Sequence, residues 1–130
     1  MYALFDRDDA FSARARSWFA KNRRPLITNA SVVTEVTYLL GRWCSVDHQL
    51  LFLEFLRKPG WLVEHVASDL ERIRYLMDRY RDLPADFTDA SLVALAERLR
   101  CIEVATTDQR DFSVYRPNHI RRLKNPMFLA

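Results

Sequence analysis

Four acidic residues, far apart in the chain, are of a type and placement that could do chemistry: Glu35, Asp89, Asp108 and Asp111. Carboxylates gathered at one place repel and raise one another's pKa, so a folded chain tolerates the cluster when a hard divalent cation neutralises it. Mg²⁺ or Mn²⁺ suits such an all-oxygen set. An ion held there positions a phosphodiester, lowers the pKa of a bound water to make the nucleophile and stabilises the leaving oxygen.

The elements that must carry these acids can be read from residue spacing. From Leu83 to Phe112 the chain reads as helix, strand and acidic turn. Thr88 can cap a helix whose apolar residues Leu92, Val93, Ala96 and Leu99 recur at three- and four-residue intervals. Asp89 falls about 20° from Ala96 and about 40° from Val93 around that axis, which aims its carboxylate inward or at a cleft. Asp108 and Asp111 follow a β-branched run without charge alternation, the pattern of a buried parallel strand ending in a loop, and ligand crevices in open α/β sheets form at such ends. Earlier, Asn29 or Ser31 starts a helix running through Leu40 and Gly41, with Val32, Val36 and Leu39 as its buried face. Glu35 lies about 60° from Val32 and about 40° from Leu39, so it too points to the interior or a cleft edge.

The rest of the chain alternates strands and helices. Met1 to Phe5 is an apolar start, and Asp8 or Asp9 can cap a helix burying Phe11, Ala15, Trp18 and Phe19. Leu26 to Thr28 is short enough for a strand. Asp47 opens a helix with more apolar surface (Leu50 to Leu56) than one stripe requires, which leaves a face for a partner. Pro59-Gly60 is a turn, Trp61 to Val66 a strand, and Ser68-Asp-Leu-Glu71 matches a capping box opening a helix to about Arg81. Phe112 to Arg116 reads as a last strand before a basic tail. This alternation predicts an α/β fold, an α/β/α sandwich around a central parallel sheet, in a single domain spanning residues 1–130.

Composition narrows the class. With 130 residues, 49% hydrophobic, 28% charged and only 2 Gly, the chain suits one helix-rich core and neither a disordered nor a fibrous protein. No apolar run approaches a membrane span, and Asp6 to Asp9 directly after the apolar start excludes a secretory signal pattern, so a cytoplasmic location is expected with no membrane partner. The net charge of +3 is concentrated in an early group (Arg14, Arg16, Lys21, Arg23, Arg24) and a late one (Arg116, Arg121, Arg122, Lys124), either solvated surface or contacts for a polyanion. Cys44 and Cys101 read as reduced core thiols, His48, His65 and His119 as structural or surface residues, and the three Trp as core. Taken singly, Asp89 could be an ordinary first-turn acid, Asp108 and Asp111 turn residues, and Glu35 the partner of Arg42 or another Arg.

In combination, Met1-Tyr-Ala-Leu-Phe-Asp-Arg-Asp-Asp9, Val33-Thr-Glu35-Val-Thr-Tyr-Leu-Leu40, Leu83-Pro-Ala-Asp-Phe-Thr-Asp89-Ala-Ser-Leu and Ala105-Thr-Thr-Asp108-Gln-Arg-Asp111-Phe112 resemble the PIN-domain ribonucleases, particularly VapC-like toxins of toxin–antitoxin pairs. The resemblance covers almost the whole chain. It implies metal-dependent cleavage of RNA, with Glu35, Asp89 and Asp108 as catalytic metal ligands, Asp111 as a helper or outer ligand, and Thr106 or Thr107 as a supporting hydroxyl. It also implies a cognate antitoxin protein and a homodimer. The family's usual first strand, which ends in a further Asp, has no counterpart before Tyr2-Ala-Leu-Phe here, so the first strand is expected to be truncated and one ligand missing. A catalytically impaired binding module acting through a protein partner or dimer is the alternative that this departure raises.

Overall fold

The computed structural model describes residues 1–83 and 86–128, with only the backbone of Asp111. The chain is α/β with a parallel sheet, as the alternation of elements predicts, and the described residues divide into two compact units, residues 1–64 and 65–130.

In the first unit a 3-10 turn (Tyr2–Leu4) leads to α1 (Ser12–Lys21), β1 (Leu26–Asn29), α2 (Ala30–Trp43), α3 (Val46–Leu56) and β2 (Trp61–Glu64). β1 and β2 pair in parallel with Leu26 opposite Trp61 and Asn29 opposite Glu64, so α2 and α3 form the crossover that a parallel pair requires. Gly60 enters β2 at φ 99°, a left-handed conformation that only glycine takes without steric cost, and its carbonyl accepts the Leu26 N–H at 2.7 Å. Val32, Val36, Leu40 and Phe52 are buried, and Phe5 packs edge-on against both Phe52 and Phe55 at ring-centroid distances of 5.4 and 5.2 Å.

Several local expectations for this unit are corrected. Asp9 accepts the Phe11 N–H at 2.8 Å but does not cap α1, and Phe11 is exposed. Ser45, not Asp47, caps α3, its hydroxyl accepting the His48 N–H and bonding the His48 ring at 2.7 Å. β2 ends at Glu64, short of Val66. Trp43 is 66% exposed beneath the Arg42 guanidinium rather than in a core, and Cys44 and Cys101 are half-buried.

The second unit holds α4 (Leu70–Arg79), α5 (Phe87–Arg98) and α6 (Gln109–Val114). α5 is its centre: Ala90, Val93, Ala94 and Ala96 pack with Ile73 and Leu76 of α4 and with Phe112, Tyr115 and Leu123. Small residues let neighbours approach α5 on most sides, so burial extends beyond the expected stripe while Leu99 is exposed. The Ser68–Glu71 capping box is not used. A 3-10 turn (Ala67–Asp69) feeds α4 directly, and the Asp69 carboxylate is taken by Arg98 at 2.8 Å. The expected strand at Phe112–Arg116 is largely helix α6, because Phe112 and Tyr115, three residues apart, must face the same core. The β-branched run at Ile102–Thr107 forms one parallel bridge, Glu103 to Lys124, rather than a strand of the sheet; Ile102 is 51% exposed.

Candidate active site

Each predicted acid is set by a local backbone device. On α2 the Asn29 side chain, itself buried, accepts the Val32 N–H at 3.1 Å and fixes the start of the helix at the carboxyl end of β1. The buried ridge is Val32, Val36 and Leu40, at four-residue spacing, with Leu39 only half-buried. That ridge centres on Val36, about 100° from Glu35. Glu35 is therefore exposed, not inward. It makes no hydrogen bond or ion pair among the described residues, and the foreseen partner Arg42 stacks on Trp43 at 5.1 Å instead.

In the second unit, Asp86 rather than Thr88 caps α5. Its carboxylate accepts the Asp89 N–H at 2.9 Å, while the Thr88 carbonyl accepts the hydroxyl of the buried Ser91 at 2.7 Å. Asp89 is consequently the third residue of the helix, half-buried, where the exposed N–H groups favour a negative charge. Asp108 is exposed and stands immediately before α6, its N–H donated to the Thr106 hydroxyl at 3.0 Å. Thr107 is half-buried. The Asp111 side chain lies outside the described residues.

Thr106 is itself held. Its carbonyl accepts the Asn125 side-chain amide at 2.7 Å, and its N–H is donated to the Asn125 side-chain oxygen at 3.4 Å. Spacing gave no signal for Asn125. The Thr106-x-Asp108 pattern, by contrast, is a recognisable hydroxyl-to-backbone turn. The His119 ring bonds the Cys101 carbonyl at 2.7 Å, the His48 ring bonds the Ser45 hydroxyl, and His65 is exposed.

Residues 1–116 match the family described as the PIN domain. The chain belongs to the PIN-domain family. This PIN-domain chain is 30% identical over 118 residues to ribonuclease VapC26 of Mycobacterium tuberculosis (strain ATCC 25618 / H37Rv), covering 90% of this chain and 87% of the relative. Its fold is similar to that of M. tuberculosis VapC20, described as a sarcin-ricin loop cleaving toxin, with a TM-score of 0.82 at 25% identity over 92% of each chain.

The donor set suits a hard cation, since Glu35, Asp89 and Asp108 offer anionic oxygens and none is fully buried. Within neither unit, among the described residues, do three or more His, Cys, Asp or Glu side chains stand close enough to form a metal cluster.

Proposed function

We propose that this PIN-domain protein is a divalent-metal-dependent endoribonuclease and the toxin of a toxin–antitoxin pair, its residues 1–130 working as one domain. The observation that carries the proposal is the likeness, over 92% of both chains, to a toxin that cleaves the sarcin-ricin loop. In this reading Glu35, Asp89 and Asp108 take the catalytic ligand roles, and Asp111 that of a helper or outer ligand. When bound there, Mg²⁺ or Mn²⁺ would polarise the phosphodiester and supply a hydroxide-like water at neutral pH.

The chain's own residues do the rest. Asp86 and Thr106 hold the backbone N–H groups of Asp89 and Asp108, which limits the positions each carboxylate can take. The exposed cations Arg121, Arg122 and Lys124 supply sequence-independent contacts to an RNA backbone. An antitoxin and a second copy of the chain are the proposed protein partners. The open groove on α3 lined by Leu50, Leu51 and Leu53, each more than two-fifths exposed, supports such docking. No helix among the described residues is long and apolar enough to cross a membrane, and the proposed place of action is the cytoplasm.

The test is cleavage of an end-labelled RNA containing the sarcin-ricin loop by the wild type and by Glu35→Gln, Asp89→Asn and Asp108→Asn. Cleavage should require Mg²⁺ or Mn²⁺, stop with EDTA and fall roughly 100-fold or more in each variant, because several kcal/mol of transition-state stabilisation is removed. Wild-type rates in all three variants would overturn the assignment of ligands. Metal-independent cleavage would overturn the mechanism.

A further inference from the structure

Backbone pairing beside Asp108 ends abruptly, and a side chain takes it over. Lys124 donates its N–H to the Ile102 carbonyl at 2.9 Å and accepts the Val104 N–H at 2.9 Å, the two bonds of the parallel bridge. The next donor in that ladder would be residue 126, which is proline and has no N–H. The Val104 carbonyl therefore receives no donor from that ladder, and the regular pairing stops short of Thr106. The Asn125 amide substitutes for it, accepting from the Thr106 N–H and donating to the Thr106 carbonyl as a neighbouring strand would. Its oxygen also accepts the Met127 N–H at 3.2 Å, so the amide plane is fixed from its own side of the chain.

Fixing Thr106 fixes Asp108. The Thr106 hydroxyl accepts the Asp108 N–H at 3.0 Å, so the relay runs from Asn125 through the Thr106 backbone and hydroxyl to the residue that bears the carboxylate. We infer that Asn125 is a positioning residue for Asp108, holding the Thr106 turn so that the carboxylate is preorganised before metal or substrate arrives. The inference rests on the reading of Asp108 as a metal ligand.

The relay is tested on the full chain by two measurements besides cleavage: hydrogen exchange of the Asp108 amide in metal-free protein, and Mn²⁺ affinity by titration calorimetry. Asn125→Ala and Thr106→Ala should each speed the exchange and weaken Mn²⁺ binding by about tenfold, the usual scale for a group that orients a ligand. Thr106→Ser keeps the accepting oxygen and should behave as wild type. Asn125→Asp separates positioning from simple structure: it retains the oxygen that accepts from Met127 and Thr106, but cannot donate to the Thr106 carbonyl. It should match Asn125→Ala.

If Asn125→Asp and Asn125→Ala both keep wild-type exchange and affinity while Asp108→Asn loses Mn²⁺, the ligand stands and the positioning role falls. If Asp108→Asn binds Mn²⁺ as the wild type does, the ligand reading fails first and takes the relay with it. Should Asn125→Ala not fold, the Thr106 pair decides: equal wild-type behaviour of Thr106→Ala and Thr106→Ser overturns the relay.

Discussion

Arg72 and Glu97 are joined by a two-pronged ion pair, Nε to Oε2 at 2.7 Å and Nη2 to Oε1 at 2.8 Å, which ties the first turn of α4 to the last turn of α5. The Glu97 side chain is 5% exposed, and its Oε1 also accepts the Asn118 N–H at 3.0 Å. A hydrogen bond to this carboxylate raises the pKa of Arg72, so the guanidinium stays charged at every physiological pH. Arg72→Ala strands a buried charge. The expected loss is about 2 kcal/mol, below the figure for a fully buried pair because water reaches the guanidinium. Urea denaturation checks it, and Glu97→Gln, which leaves only the partly exposed Arg72 cation without its partner, should cost less.

Asp86 links helix stability to the site. Asp86→Ala removes the acceptor for the Asp89 N–H and should lower stability by about 1 kcal/mol. Asp86→Ser or Asp86→Asn should recover most of it. Because the lost bond is to Asp89 itself, the alanine variant should also raise the Mn²⁺ concentration needed for half-maximal cleavage. An unchanged metal requirement would separate the cap from the ligand role proposed for Asp89.

Arg100 occupies the left-handed position after α5, at φ 55°, where the Cys101 N–H closes on the Ala96 carbonyl at 2.8 Å and the Arg100 N–H on the Glu97 carbonyl at 3.2 Å. This is the helix ending in which glycine is most favoured. Arg100→Gly should stabilise the protein by about 0.5–1 kcal/mol, read as a higher thermal midpoint.

Tyr2 and Asp6 give a pH signature. The Tyr2 hydroxyl donates to Asp6 at 2.6 Å, and this bond, followed by one from the Asp8 N–H, holds the Asp6 carboxyl below the ordinary carboxylate value. Burial first, then the same bond, raises the Tyr2 phenol. Since the folded pKa of Asp6 lies below the unfolded one, its contribution is present above the ordinary carboxylate range and is lost as pH falls through the folded value. Tyr2→Phe should therefore lower the thermal midpoint at pH 7, lose that difference in acid, and move the Asp6 carboxyl titration upward by NMR.

Local signals in the chain determined much of this protein. The spacing of β-branched and apolar residues around Asn29 determined α2, Pro59-Gly60 marked the turn into β2, and the four acidic motifs carry the PIN-domain resemblance. Each signal acts within a few residues, so it survives without knowledge of the remainder of the chain. Tertiary structure decided what depends on partners distant in sequence. The Ser68–Glu71 capping box goes unused, and Asp69 between its two members pairs instead with Arg98, 29 residues away, which fixes how this turn enters α4. Phe112 is drawn into helix α6, with Tyr115 just past its end, because one core takes both rings, and Ile102–Val104 form only a bridge because Pro126 ends the ladder that Lys124 begins. Glu35 turns outward because one member of the buried ridge is Leu40 in place of Leu39, which moves the ridge centre from about 65° to about 100° from Glu35. Asn125 had no motif at all. Its role exists only because folding places a side-chain amide opposite Thr106, where it makes both the donor and the acceptor bond beyond the point at which regular backbone pairing stops.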